Sequence, residues 1–122
     1  MPEATFSRNK RLLTARAYQA VFGGTHFKVA HPHLLLLARP NELSHPRLGL
    51  VVAKKHIRHA VDRNRVKRVV RETFRLAQSQ LNSLDVVFLA RPGLDKLSPH
   101  DQIALLQKSW QRLTRKLMVE RE

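Results

Sequence analysis

The sequence predicts an α+β fold in a single domain over residues 1–122, with one mixed sheet covered by helices. Short apolar runs that end at turn residues alternate with segments whose apolar residues recur every three or four positions, and these are the patterns of strands and amphipathic helices. A length of 122 residues suffices for one hydrophobic core but not comfortably for two. The expected order of elements is helix, three strands, helix, strand and helix.

The first helix is predicted over about residues 15–22, because Thr14 is a favourable N-cap and Gly23 and Gly24 stop a helix. Tyr18 and Phe22 lie four positions apart on it and therefore share a face. Spacing alone favours two core rings and leaves open a groove in which nucleic-acid bases stack on them.

Four strands are predicted from brief apolar runs bounded by proline, glycine, asparagine or basic residues. They are expected at residues 26–30, 34–38, 47–53 and 85–90. The longest of these apolar runs is far shorter than the roughly 20 residues that a membrane-spanning helix needs.

The second helix is predicted over residues 63–81, with Asp62 as its N-cap. Its core-facing residues are expected to be Val66, Val69, Val70, Phe74, Ala77 and Leu81.

The last helix should begin at Pro99, directly after the N-cap Ser98. Its apolar stripe is predicted as Ile103, Leu106, Trp110, Leu113 and Leu117. Trp110 is expected to dock this helix on the sheet, and about residues 1–9 and 119–122 are expected to be flexible.

The polar face of the second helix is strongly basic. It carries Asn64, Arg68, Arg71 and Arg75, with Arg65 and Lys67 on its shoulders. From residue 54 to residue 75 there are nine lysines or arginines and two acidic residues, so ion pairs within the helix cannot neutralise it. A merely solvated face is the alternative, but such dense like charge favours a polyanionic partner.

Composition indicates the class of that partner. The formal net charge of +14 points to nucleic acid first and to an anionic membrane second. The chain has no cysteine, which excludes disulfides and thiol catalysis. It also starts without the apolar segment of a signal peptide. A soluble protein of the cytoplasm is therefore expected.

A catalytic site in the chain itself is not expected. The seven histidines lack the spacing of a metal site, and the nine acidic residues are scattered, without a pair suited to two-metal chemistry. No activated serine motif and no phosphate-binding loop is present. The residue pattern thus favours binding over catalysis, and no catalytic or metal-ligating residue is predicted.

One combination of motifs resembles a known family. Gly49-Leu50-Val51-Val52 and Lys54-Lys55 are followed by Arg63-Asn64-Arg65, Lys67-Arg68 and Arg71-Glu72. This order is similar to the signature of the bacterial ribonuclease P protein subunit, in which an R-N-R-x-K-R helix follows a G-L-x-V-x-K-K strand end. Further parts of the resemblance are Arg11-Leu12, Tyr18 with Val21-Phe22, and Leu89-Ala90-Arg91.

The resemblance implies a left-handed βαβ crossover through the R-N-R helix, and an RNA subunit that cleaves precursor tRNA with bound Mg²⁺. No protein-borne metal, membrane contact or obligate protein partner is implied. The residues that would bind the catalytic RNA are Arg63, Asn64, Arg65, Lys67, Arg68 and Arg71. The residues that would line or edge a cleft for the single-stranded 5′ leader are Arg11, Tyr18, Phe22, Lys54 and Lys55.

Some positions depart from the family pattern. The leucine run at residues 34–37 stands where some members place an aromatic residue on the cleft floor, which implies weaker stacking of the leader. A ribosomal protein is the alternative function that shares this size and charge. A DNA-binding protein that reads the major groove through the basic helix is a third.

Overall fold

The computed structural model describes residues 10–12 and 14–121. The helices are α1 (Ala15–Gly23), α2 (Ala60–Leu81) and α3 (Pro99–Arg121), and a short 3₁₀ turn spans Leu94–Lys96. The strands are β1 (Phe27–His31), β2 (Leu34–Pro40), β3 (Arg47–Val51) and β4 (Leu84–Ala90). The predicted order of elements is confirmed. The segment 1–9, predicted to be flexible, lies outside the described residues, and α3 continues through Arg121.

The four strands form one mixed sheet in the order β1-β2-β4-β3. β2 is antiparallel to both β1 and β4, whereas β3 and β4 are parallel neighbours joined by α2. This connection is the βαβ unit that the family resemblance implies. Because α2 is bounded by strands, it is not part of a helix-turn-helix motif.

The larger core lies between one face of the sheet and the two long helices. Phe88 of β4, Leu36 of β2, Phe74 of α2 and Trp110 of α3 are all buried in it. The Phe74 and Trp110 rings meet edge to face, with centroids 5.6 Å apart. The Trp110 indole N–H donates to Thr73 Oγ1 at 2.9 Å. Trp110 is therefore a large core residue as predicted, but this contact of its ring and this bond of its indole N–H join α3 to α2 and not to the sheet.

A smaller cluster lies on the other face of the sheet, beneath α1. Leu12, Val21 and Val87 are buried there. Since α1 has only nine residues, it covers part of this face and leaves Leu35 and Leu37 only half-buried. We call the partly covered surface the α1-side face.

An ion pair fixes the start of the parallel strand pair. Arg47 Nε donates to Asp85 Oδ1 at 2.8 Å and Arg47 Nη2 to Oδ2 at 2.6 Å, and the two residues are register partners. Asn41 Nδ2 also donates to Asp85 Oδ1, at 2.9 Å. The hydrogen bond to Asp85 raises the pKa of Arg47.

The predicted caps are confirmed at two helices and wrong at the third. Thr14 Oγ1 accepts from Ala17 N and Ser98 Oγ accepts from Asp101 N, each at 3.1 Å. In contrast, α2 begins after His59, so Asp62 lies in the first turn and is not the N-cap. A carboxylate there still favours the positive end of the helix dipole.

The predicted end of β3 and the predicted apolar face of α3 also need correction. β3 ends at Val51, because the amides of His56 and Ile57 both donate to Ala53 O at 3.0 Å and close a turn without a glycine. On α3, Ile103 is 40% exposed, whereas Gln102 and Ser109 are buried. Among the described residues, no helix is both long and apolar enough to cross a membrane.

Candidate nucleic-acid interface

The polar residues of α2 form one surface. Asn64, Arg68, Arg71 and Arg75 line a depression of about 460 Å³ together with Glu72 and, from outside the helix, Arg11. We call these cationic and amide residues, Arg11, Asn64, Arg68, Arg71 and Arg75, the α2 cationic face. The predicted convergence of the helical residues is thus present, and the structure adds Arg11 to them.

Arg11 reaches α2 because the chain before α1 runs along the outer edge of β3. Arg11 forms a parallel bridge with Leu48, and Leu12 N donates to Leu48 O at 3.0 Å. Arg11 also lines a second depression of about 190 Å³ between α1 and α2, with Tyr18, Lys67 and Arg71. The sequence associated Arg11 with the leader cleft alone, whereas it stands where the two predicted surfaces meet.

Glu72, the single carboxylate among the described residues that line the α2 depression, is already paired. Arg75 Nε donates to Glu72 Oε2 at 3.2 Å, and Arg75 Nη2 bonds to Glu72 Oε1. This hydrogen bonding lowers the pKa of Glu72, which therefore stays ionised beside the arginines. Within the described part of the chain, Arg68 and Arg71 form no ion pair, so their charge remains available to an anion.

The three residues of the R-N-R motif occupy different environments. Arg63 is half-buried, and its Nη1 donates to Ile57 O at 3.0 Å and to Arg58 O at 2.8 Å. It therefore fastens the connector between β3 and α2. Asn64 lines the α2 depression, whereas Arg65 is exposed and lines neither depression. Lys67 lies on the α1 side of the helix.

Tyr18 is both a core ring and a ring that lines a groove, the two alternatives that its spacing left open. A Cβ atom at Gly49 would lie 2.6 Å from Tyr18 Cε1, so the ring lies directly on the glycine. The amide of Leu50 on the outer edge of β3 donates to the Tyr18 hydroxyl at 3.0 Å. The ring is half-buried, and it belongs to the small core while also lining the depression with Lys67 and Arg71.

Phe22 is the more exposed of the two rings, at 45%. It shares α1 with Tyr18, beside a sheet face that carries the half-buried Leu35 and Leu37. The register places exposed Lys28 opposite Leu37, at the outer side of this face. The α1-side face is therefore an open apolar surface with a cation at its margin.

Lys54 and Lys55 are exposed in the turn that follows β3. That turn leaves the sheet at Val51, whose register partner is Leu89. The two lysines thus stand at one end of the sheet.

Sequence reasoning missed one residue that shapes this region. Arg39 Nη1 donates to Ala20 O at 3.0 Å and so holds the last turn of α1 against β2. The signal was available in the alternation of β2, which places Arg39 on the same face as Leu35 and Leu37. No group of three histidine or acidic side chains within the described residues is arranged to hold a metal ion.

Known proteins resemble this chain over most of its length. The model of the family described as Ribonuclease P matches residues 6–114. The Ribonuclease P protein component of Azotobacter vinelandii is 49% identical over 94% of this chain and 88% of the relative. The component of Vibrio cholerae is 50% identical over 94% of this chain and 97% of the relative.

Solved structures show the same fold. The RNase P protein of Staphylococcus aureus superposes with a TM-score of 0.73 at 27% identity, over 88% of this chain and 94% of that one. The RNase P protein of Thermotoga maritima gives a TM-score of 0.64 at 27% identity, over 80% and 96%. Since both the family model and these relatives cover most of the sequence, the chain belongs to the family of ribonuclease P proteins.

Proposed function

We propose that this chain, as the protein subunit of ribonuclease P, binds the ribonuclease P RNA through the α2 cationic face and the 5′ leader of precursor tRNA on the α1-side face. It thereby assists the removal of the leader that produces the mature tRNA 5′ end. The observation that carries the proposal is the convergence of Arg11, Asn64, Arg68 and Arg71 on one surface, where the single carboxylate among the described lining residues is bound to Arg75. We place this reaction in the bacterial cytoplasm.

The chemistry is assigned to the RNA subunit with Mg²⁺ bound mainly by RNA. The described residues bring together no set of histidine or acidic side chains suited to a metal ion, so no step of the proposal passes through a protein-bound ion. The protein contributes electrostatics and position: its guanidinium groups reduce repulsion between RNA phosphates and hold the substrate in place.

Leader binding is proposed to need no particular sequence. Apolar side chains such as Phe22 and Leu35 can support bases of any identity, and lysines such as Lys28, Lys54 and Lys55 can follow the backbone. The half-buried leucines offer less stacking area than an aromatic floor. We therefore expect electrostatic contacts to dominate over stacking here.

The test is cleavage of a precursor tRNA by ribonuclease P RNA at low Mg²⁺, with and without the protein. The change Arg68→Gln with Arg71→Gln should abolish most of the stimulation, because it removes two unpaired cations from the α2 cationic face. Phe22→Ala should weaken stimulation only for precursors with long leaders. Lys96→Gln, an exposed change away from both surfaces, is the control. If the wild-type chain gives no stimulation at any concentration, the proposal is wrong.

A further inference from the structure

A second cationic surface lies on α3, away from the α2 cationic face. Lys108, Arg112, Arg115 and Lys116 are all exposed and recur at the i, i+4, i+7, i+8 spacing of one helical stripe. The sequence contains no acidic residue from 102 to 119. We call these four residues the α3 cationic stripe.

The stripe continues onto the turn between β1 and β2. Arg112, Arg115 and Lys116 line a depression of about 560 Å³ with Val119. Lys108 and Arg112 line a neighbouring one of about 480 Å³, whose other polar residues are His31, His33, Asp101 and Ser109. Since Arg112 borders both depressions, they form one continuous surface, and among its described lining residues Asp101 is the single carboxylate.

The β1–β2 turn is held firmly beside the stripe. His33 N donates to His31 Nδ1 at 3.0 Å, and Arg91 Nη1 donates to His31 O at 3.1 Å. Burial first, then the charges of His33 and Arg112, lower the pKa of His31. Arg112 is thus close enough to act electrostatically on His31 of the turn.

The two cationic surfaces lie over opposite edges of the sheet. α2 and α3 pack on the same sheet face. The α2 cationic face adjoins β3 through Arg11, whereas the α3 cationic stripe adjoins the β1 end of the sheet through His31. β1 and β3 are the two outer strands. The protein therefore presents two separate cationic surfaces on its helical side.

We propose that the α3 cationic stripe binds the phosphate backbone of a second segment of the RNA whose first segment is held by the α2 cationic face. This inference rests on the proposed function. From Lys108 to Lys116 the helix rises about 12 Å, a length on the scale of a few consecutive phosphates of an RNA strand. Holding two distant segments of one RNA would fix the orientation of the protein on it, which one contact surface alone does less well.

The chemistry of the stripe favours RNA over an anionic membrane. The apolar side of α3, with Leu106, Trp110 and Leu113, is buried against the sheet and α2. Only Met118 and Val119, near the end of the helix, are exposed apolar residues beside the stripe. An interfacial membrane helix needs a free apolar face along its length, and α3 has none. Arginine side chains suit phosphate recognition because they can donate two hydrogen bonds at once.

The test separates the position of the charge from its amount. A charge-removed variant carries Arg112→Gln and Arg115→Gln. A charge-relocated variant adds Gln107→Arg and Gln111→Arg, two exposed positions of α3 that face the groove with α2. It restores the net charge of +14 on another side of the same helix, and all four positions tolerate either residue in a helix.

Affinity for ribonuclease P RNA is measured against salt concentration for each variant, with thermal unfolding to confirm that each folds. Both variants should bind several-fold more weakly, and the slope of log affinity against log salt should become shallower by about 2, one unit for each lost phosphate contact. If the relocated variant regains wild-type affinity, or neither variant loses affinity, the inference is wrong.

Two further measurements distinguish the remaining explanations of a negative result. Flotation with phosphatidylglycerol vesicles tests the membrane: vesicle binding that needs Arg112 and Arg115, with RNA affinity unchanged, would overturn the assignment to RNA. The α2 variant Arg68→Gln with Arg71→Gln is measured in parallel. If it loses RNA affinity while the α3 variants do not, only the second surface fails. If the wild-type protein does not bind the RNA, the proposed function fails as well.

Discussion

Gly49→Ala should displace Tyr18 and thereby destabilise the protein and open the depression between α1 and α2. The new methyl group would lie 2.6 Å from Tyr18 Cε1 and 2.9 Å from its hydroxyl oxygen. Both distances are shorter than any van der Waals contact, so the ring has to move. Moving it breaks the 3.0 Å hydrogen bond from the Leu50 amide. The backbone itself is not the obstacle, because Gly49 is not among the residues with positive φ.

The expected cost combines two contributions. Overpacking of this kind costs about 1–3 kcal/mol, and losing a hydrogen bond to a strand amide costs about 1 kcal/mol. Gly49→Ala should therefore lower the free energy of unfolding by about 2–4 kcal/mol. Tyr18→Phe keeps the ring and removes only the hydroxyl, so it should cost about 1 kcal/mol.

A double-mutant cycle with Tyr18→Ala tests the cause. Once the ring is gone, the three atoms nearest to the methyl group of Gly49→Ala are absent, and alanine in a strand is favoured over glycine by about 0.5–1 kcal/mol. The second substitution should then be neutral or slightly stabilising, which corresponds to a coupling energy of at least about 2 kcal/mol. Urea unfolding can be followed by the fluorescence of Trp110, the single tryptophan of the chain. Additive costs of the two substitutions would refute the reasoning.

Two further predictions concern the α3 side of the molecule. Trp110→Phe should lower the free energy of unfolding by about 1–2 kcal/mol, because it removes the donor to Thr73 Oγ1; Trp110→Ala should cost about 3–5 kcal/mol, because it also empties the core between α2 and α3. In urea unfolding, a Trp110→Phe variant as stable as the wild type would contradict the hydrogen-bond contribution, and equal costs of the two substitutions would contradict the packing contribution. The pKa of His31 is lower in the folded state than its ordinary value near 6.5, so the unfolded state binds a proton at His31 more readily. The protein should therefore keep its full stability above about pH 6.5 and lose stability as the pH falls from there through the lower folded pKa. His31→Asn, which keeps an acceptor for the amide of His33, should reduce this pH dependence, and an unchanged pH profile of unfolding would contradict it.

Local features of the fold could be predicted because their causes act over a few residues. The apolar period of α2 gave Val66, Val70, Phe74 and Leu81 correctly as core residues. Side-chain caps, such as that of Thr14, require only neighbouring amides. The period was a poorer guide on α3, where Gln102 is buried because its amide donates to the carbonyls of Leu94 and Leu97. Such a partner lies outside the helix and is invisible to periodicity.

The sequence predicted which residues of α2 share the candidate site, but it did not predict which residues from other segments join them. The repeat of Asn64, Arg68 and Arg71 along one helix face follows from helix geometry alone, and so does the excess of charge there. In contrast, Arg11 joins this face only because its segment adds to the edge of β3 at Leu48. Likewise, Arg63 donates hydrogen bonds to carbonyls of the connector between β3 and α2. These bonds depend on the path that the chain takes after β3.

The sequence by itself determined the order of the elements, two of the three predicted caps, the cationic face of α2 and the membership in a family, because each of these depends on residue types at short separations. The tertiary structure alone decided the strand order β1-β2-β4-β3, which sets the two cationic helix surfaces over opposite edges of the sheet. It also decided that Tyr18 rests on Gly49 and that Arg47 meets Asp85 across 38 residues. These contacts join segments that are distant along the chain, and which distant segments meet is settled by the packing of the whole core.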